Sequence, residues 1–300
     1  METNLVELIE RFGTEPRCRA YLEGLRWPNG IDCPRCHSSK ISRLTKRPVF
    51  DCDACRYQFS VTAGTIFNDT HLPLWKWFLA TYLICESKKG YSANQMKRTL
   101  SVSYKTAWFL CHRIRKAMVE TEQFKLDGVV EVDETYVGGV HRGGKRGRGS
   151  ENKEIVIGIR KRGGALRFFH AEDVKSGTLA EYIRENISED VEAIVTDDLN
   201  VYPPAIAKTE IDSKKHKTIN HSGGVYVMGE IHTNTVESAF SLLKRGIVGT
   251  WHKISAKHLP AYLDEMTFRF NRRDENSTLF DDTLRQILNT STMTFERLTA

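Results

Sequence analysis

The sequence predicts an α/β protein in which a small cysteine-held module and a helical region precede a larger domain built on a mixed sheet. Three observations carry that prediction: two Cys-x-x-Cys pairs near the start of the chain, a run of helical patterns after them, and a β-β-β-α-β-α-β-α succession from Val129 onward. A chain of 300 residues has room for two or three units, each with its own core. The divisions read as 1–68, 69–124 and 125–290, with 291–300 as a tail. A hydrophobic fraction of 40% and a charged fraction of 27% exclude a disordered chain. No run reaches the roughly 18 apolar residues of a membrane span, and METNLVELIERFG lacks the basic start of a secretory signal. A cytoplasmic protein with no membrane partner is the expectation.

Cys33-Pro-Arg-Cys36 and Cys52-Asp-Ala-Cys55 are separated by fifteen residues. Each knuckle aims two thiolates at one point, and together they close a tetrahedron that leaves no position open for substrate. The expected metal is therefore structural zinc. The segment ISRLTKRPVFDC alternates like a short hairpin and Tyr57–Val61 adds a strand, so the unit resembles a zinc ribbon. His37 is redundant beside four cysteines. Cys85 and Cys111 fall in apolar helical patterns and read as buried; Cys18 has no assignment.

LPLWKWFLATYLICES is apolar on most faces, as expected of a helix buried against neighbours. Ser92 caps a short helix through Leu100, Ser101-Val-Ser103 turns, and YKTAWFLCHRIRKAM supplies a longer helix with a basic end. This outline is either a helix-turn-helix or an ordinary helical hairpin. In the first case Tyr104, Lys105 and Thr106 are placed to read base edges, with Arg113, Arg115 and Lys116 nearer phosphates.

The net charge is +6, with cationic residues concentrated around 97–116, 140–149 and 208–217. Contact with a polyanion and a solvated basic face both fit that distribution.

VVEVDETYVGG is a strand that carries acids, a costly composition for a sheet interior without a cation. Alternation puts Glu131 and Asp133 on one face and Glu134 on the other. Further strands follow at EIVIGIRKR, ALRFFHAEDV, EAIVTDDLN and near HKTIN. Helices are expected at SGTLAEYIRENI, between Tyr202 and Ala207, and from about Asn234. The order resembles the ribonuclease-H-like (integrase-like) fold, in which the first and fourth strands are neighbours. Asp133 and Asp197 then meet, and two carboxylates about 4 Å apart repel by roughly 4 kcal/mol at an effective dielectric of 20, which a shared divalent cation relieves. Oxygen ligands favour magnesium or manganese. Asp198 competes with Asp197 but faces away if the strand includes both.

In HTNTVESAFSLLKRGIVGTWH, Asn234, Glu237 and Lys244 project from one side of a helix. Glu237 or Asn234 completes the metal shell, with Glu237 the first choice, and Lys244 holds a DNA phosphate. The run His141–Ser150, with Arg142, Lys145, Arg146 and Arg148, is either a hairpin tip that follows the DNA backbone or a plain loop. His252 and KHLPAYLDEMTFRFNRR close the domain; Arg269, Arg272 and Arg273 are candidate phosphate contacts, with Glu265 and Arg269 alternatively pairing along the helix.

The Cys pairs, VDETYVGG, TDDLNVY, HTNTVESAFSLLKRGIVGTWH and YLDEMTFRFNRR together resemble transposases of the insertion sequence 1595 (ISXO2-like) family, over nearly the whole chain. The resemblance implies an N-terminal zinc ribbon and a DDE-type catalytic domain with Asp133, Asp197 and the Asn234/Glu237 helix as its acids, followed by Lys244. Relatives use either asparagine or glutamate as the third residue, and both stand here. It further implies phosphoryl transfer on double-stranded DNA at terminal inverted repeats and a target, with two divalent ions, by a homo-oligomer assembled on DNA. Two other classes fit the residues: a DNA-binding regulator on a dead catalytic fold, and a structure-selective nuclease that cuts without joining.

Overall fold

The structure is a computed structural model that describes residues 4–120, 124–138, 153–219, 232–274 and 276–300. It divides into two compact units, one of residues 1–118 with 274–300 and one of residues 119–273.

The first unit opens with helices α1 (Leu5–Phe12) and α2 (Glu15–Arg26). Asn4 caps α1, its side-chain oxygen accepting from the Val6 and Glu7 amides. A three-stranded antiparallel sheet follows, β1 (Ile41–Arg43), β2 (Phe50–Cys52) and β3 (Gln58–Phe59), in that order. Trp27, Phe50 and Phe59 meet edge-on or tilted beneath it, with ring centroids 5.5 to 5.9 Å apart. These strands are too short to hold themselves. Helix α3 (Leu74–Glu86) is buried along several faces, as its pattern predicts. Pro73 precedes it and offers no capping oxygen, so Glu15 accepts from the Leu74 amide at 2.8 Å instead. Ser92 forms a capping box with Gln95 to start α4 (Ala93–Leu100), Ser101 turns the chain at φ 51°, and Ser103 caps α5 (Tyr104–Ala117) through the Thr106 amide.

The chain returns to this unit at its end. Helices α10 (Asn276–Asn289) and α11 (Phe295–Thr299) belong here, with Phe280 packed against Phe78 and Phe12. The sequence reading ended the larger domain at residue 290; the contacts of residues 274–290 lie with the first unit. The unassigned Cys18 is buried and its thiol donates to the Phe12 carbonyl, fastening α2 to the end of α1. Cys85 is buried beside Thr283, and Cys111 is buried too.

The second unit is a five-stranded sheet of β4 (Val129–Val137), β5 (Glu154–Lys161), β6 (Leu166–Ala171), β7 (Ala193–Asp197) and β8 (His216–Ile219). Their order is β6-β5-β4-β7-β8, antiparallel from β6 to β4 and parallel from β4 to β8. The first and fourth strands of the unit are neighbours, as expected. Helices α6 (Ser176–Asn186) and α7 (Tyr202–Ile206) cover one face, where Val130, Val132, Ile157 and Ile159 are buried. Helices α8 (Asn234–Gly246) and α9 (Leu259–Asn271) cover the other, over Val137, Val156 and Phe168. The period-two alternation of β4 thus sends Val130, Val132 and Glu134 to one layer and Glu131, Asp133, Thr135 and Val137 to the other. A π-helical turn, Ile247–Trp251, ends α8, and His252 follows at φ 61°.

Candidate functional site

In the ribbon the four cysteine sulfurs lie within 4.8 Å of one another, with Cys33 and Cys55 3.6 Å apart and Cys36 and Cys52 3.5 Å apart. A tetrahedron of bonds of about 2.3 Å has edges of about 3.8 Å, so the set fits zinc and nothing else needs to approach. The two knuckles are built alike: the residue after each second cysteine, His37 or Arg56, has φ 56° and donates its amide to the carbonyl of the first cysteine. The His37 side chain is exposed and its ring lies 3.9 Å from Asp32, apart from the sulfurs' tetrahedral set.

The second unit gathers acids. Val129, Val130 and Glu131 pair in parallel with Ala193, Ile194 and Val195. Continuing that register by two residues sets Asp133 opposite Asp197 at the end of β7. The strand stops there, and Asp198 is exposed beyond it. The Asp133 carboxyl is pushed up to about 8, first by burial and then by Glu134, Asp197 and Glu237, opposed by its hydrogen bond from the Glu134 amide. Asp197 of β7 and Glu237 of α8 are thus among the charges that act on Asp133 of β4. Among the described residues the four cysteines are the group of three or more His, Cys, Asp or Glu ligands placed to hold a metal ion, and the three acids do not form such a group.

Each acid is held. Asp197 accepts from the Leu199 amide at 3.1 Å. Glu237 accepts from the Thr233 hydroxyl at 2.7 Å. Glu134 points to the opposite face, as the alternation predicts, and accepts from the buried Tyr202 hydroxyl at 2.7 Å; burial and that carboxylate hold the phenol well above its ordinary value. Asn234 begins α8 and is exposed, one turn before Glu237, and Lys244 is exposed two turns after it.

Sequence reasoning left Glu131 as a companion of Asp133, and the structure gives it other partners. Its carboxylate is fully buried and accepts from Arg162 Nε at 2.7 Å and from the Thr235 and Val236 amides at 2.9 Å each. Gly158, opposite Asp133 in β5, was also missed. A Cβ there would stand 2.7 Å from Phe240 Cζ and 2.9 Å from Val236 Cγ2, so glycine allows α8 to lie close on the sheet. A lone glycine inside a β-branched strand was the available signal.

Several cations are not where the sequence reading set them. Arg113 is buried, lies over the Trp77 and Phe109 rings, and donates to the carbonyls of Ile66 and Asn68. Its guanidinium satisfies those carbonyls and is not a phosphate contact here. Arg115 is also buried, and Lys116 donates to the Ser291 carbonyl. Arg269 is buried with Glu265 at 3.1 Å, the intrahelical pairing, and Arg272 pairs with Glu120 at 2.6 Å. Arg273 lies over the Phe270 ring. Tyr104, Lys105 and Thr106 are exposed on the first turn of α5. Arg142, Lys145, Arg146 and Arg148 lie outside the described residues.

Residues 125–271 match the family model of the ISXO2-like transposase domain, and residues 13–58 match the transposase zinc-ribbon domain. A Halobacterium salinarum protein described as "Uncharacterized protein in transposable element ISH50" is 30% identical over 285 residues, 87% of this chain and 92% of the relative. A cysteine-held ribbon ahead of a transposase domain defines the class: a transposase. Within that class the chain belongs to the insertion sequence 1595 family of ISXO2-like transposases. Among the described residues no helix is long and apolar enough to cross a membrane.

Proposed function

We propose that the chain is a DDE-type DNA transposase whose second unit is ribonuclease-H-like and cuts and joins insertion-sequence ends with divalent metal. The observation that carries this reading is the parallel register of β4 and β7, which sets Asp133 opposite Asp197 when continued by two residues, with Glu237 of α8 among the charges that act on the Asp133 carboxyl. An acid from each of two strands and one from the helix over them offer oxygen ligands suited to a hard cation. Magnesium or manganese held by Asp133, Asp197 and Glu237 would supply charge neutralisation at the reacting phosphate and a more acidic water or hydroxyl.

The protein's own residues orient these acids and bring DNA to them. Glu237, aimed by Thr233, is the third acid, and Asn234 beside it is the alternative. Lys244, two turns along the same helix, holds a phosphate. The α4–turn–α5 segment presents Tyr104, Lys105 and Thr106 to base edges of the terminal inverted repeats, and the run from Arg142 to Arg148 adds phosphate contacts. Zinc fastens the ribbon, and two ends require a homo-oligomer on the DNA. The test is nicking of a supercoiled plasmid carrying the DNA that borders the gene, with Mg²⁺ or Mn²⁺. Nicks at the element boundary by wild type and N234A, lost in D197A and E237Q, support the assignment. Equal nicking by all variants refutes it, and loss in N234A with retention in E237Q moves the third role to Asn234.

A further inference from the structure

The N-terminus of α8 is capped by no residue of its own. Thr233 occupies the capping position, yet its hydroxyl makes no bond to the helix amides; it donates to the Glu237 carboxylate at 2.7 Å. The amides of Thr235 and Val236 are satisfied from another element, by the Glu131 carboxylate of β4. A carboxylate at a helix N-terminus also meets the positive end of the helix dipole.

Glu131 is itself fixed. Arg162 donates Nε to it and a terminal nitrogen to the His232 carbonyl at 2.7 Å, just before the helix, and the His232 ring Nδ1 lies 3.3 Å from the same carboxylate. Arg160, paired across the sheet with Glu131, donates to the Thr235 carbonyl and to Ser238 Oγ at 3.2 Å. Both strands thus grip the first turn of the helix that bears Glu237. Glu131 shares a face with Asp133 but spends its oxygens on a guanidinium and two amides.

We propose that Glu131, Arg162 and Thr233 are positioning residues that set Glu237 against Asp133 and Asp197, without themselves holding metal or DNA. This rests on reading those three acids as the metal site. A buried carboxylate with three strong donors fixes a helix start closely, and Thr233 is released from capping to orient the acid one turn along. Groups that orient metal ligands in this way commonly change metal affinity by about 10- to 100-fold when removed.

The test uses the full chain as wild type, E131Q, E131Q/R162Q, T233V and D133A. Three quantities are read: Mn²⁺ binding from the electron paramagnetic resonance of the free ion, the Mn²⁺ concentration for half-maximal joining of a pre-cut 3′ end, and metal-free binding of that end. Positioning predicts that E131Q raises both metal values at least about tenfold with DNA binding changed less than about twofold. The double variant, which also removes the Arg162 donors to that carboxylate and to the His232 carbonyl, shows a loss at least as large. T233V, which keeps the shape and removes only the hydroxyl, shows a smaller loss of the same kind and decides the matter if E131Q does not fold. Wild-type metal values in the double variant would show that the pair orients nothing and would overturn the proposal. Wild-type metal values in folded E131Q or in T233V overturn it equally. D133A separates the two levels: if it binds Mn²⁺ and joins ends like wild type, the acid-site reading itself has failed, whereas an inactive D133A beside wild-type E131Q and T233V removes only the positioning role.

Discussion

Asp133 is the residue at which the site's electrostatics are most exposed to measurement. Its carboxyl is raised from 3.8 to about 8, by burial first and by Glu134, Asp197 and Glu237 after it. Between those values the metal-free folded protein keeps a proton that the unfolded chain has released, so this group's contribution to stability falls as pH rises and levels off above about 8. A divalent cation competes with that proton. Mn²⁺ is therefore expected to raise the melting temperature more at pH 8 than at pH 6 in differential scanning calorimetry, and an equal rise at both would disconnect Asp133 from the ion. Arg113 and Lys105 make a second contrast. Removing Arg113 strips the Ile66 and Asn68 carbonyls of their donor, so R113A should cost about 2 to 4 kcal/mol in urea unfolding. K105A, on an exposed side chain whose ammonium lies over the Phe295 ring, should cost no more than about 1 kcal/mol in unfolding while weakening end-DNA binding. The charge pattern shows both arginine and lysine as cations of one helix; only packing separates the one that satisfies backbone carbonyls from the one whose exposed side chain lies over the Phe295 ring.

At the scale of elements, strand and helix periodicity carries most of the information. The alternation of β4 sends Glu134 to Tyr202 and Asp133 to the α8 face, and the Ser92 cap stands where the sequence places it, while Ser103, expected only as part of a turn, caps α5. What the pattern cannot carry is a tertiary cap: nothing local to HTNTVES says that Glu131, about a hundred residues earlier, satisfies its amides. Gly158 is the same kind of fact, since its need for no side chain arises only when Phe240 and Val236 arrive. G158A should displace α8 from the sheet, lowering stability by about 1 to 3 kcal/mol as overpacking does and raising the Mn²⁺ needed for joining; a variant that loses stability but keeps the wild-type metal requirement would detach helix position from the site. Zinc acts on the ribbon in the same way as packing does elsewhere. Its strands have two or three residues each, and chelation should unfold the ribbon, seen as loss of protection from proteolysis between residues 13 and 58. The five-stranded unit should stay folded by circular dichroism.

The whole molecule is arranged around a chain that leaves its first unit after Met118, builds the acid site, and comes back at Asp274. The return was hidden in the sequence, because an amphipathic helix shows that it has a buried face but not which core receives it. Leu279, Phe280, Leu284, Ile287 and Leu288 are all buried there. At about 1.5 to 3 kcal/mol for each such side chain, deleting residues 274–300 should unfold the first unit while the second keeps its own melting transition in calorimetry. The family was legible because its cysteine pairs and the VDETYVGG and TDDLNVY segments are short contiguous motifs, and those two segments also hold Asp133 and Asp197, proposed for the metal site. The choice between Asn234 and Glu237 was not, because it depends on which side chain Thr233 and the neighbouring strands orient. The central claim is that these acids, with metal, join DNA. Its most direct measurement is strand transfer by the full chain: a labelled, pre-cut element end, a plasmid target and Mg²⁺ or Mn²⁺, comparing wild type with D133A. Joined product from wild type, absent without metal and absent from D133A, is the predicted result. Binding of the end with no joining by wild type, or joining that D133A retains, would contradict it.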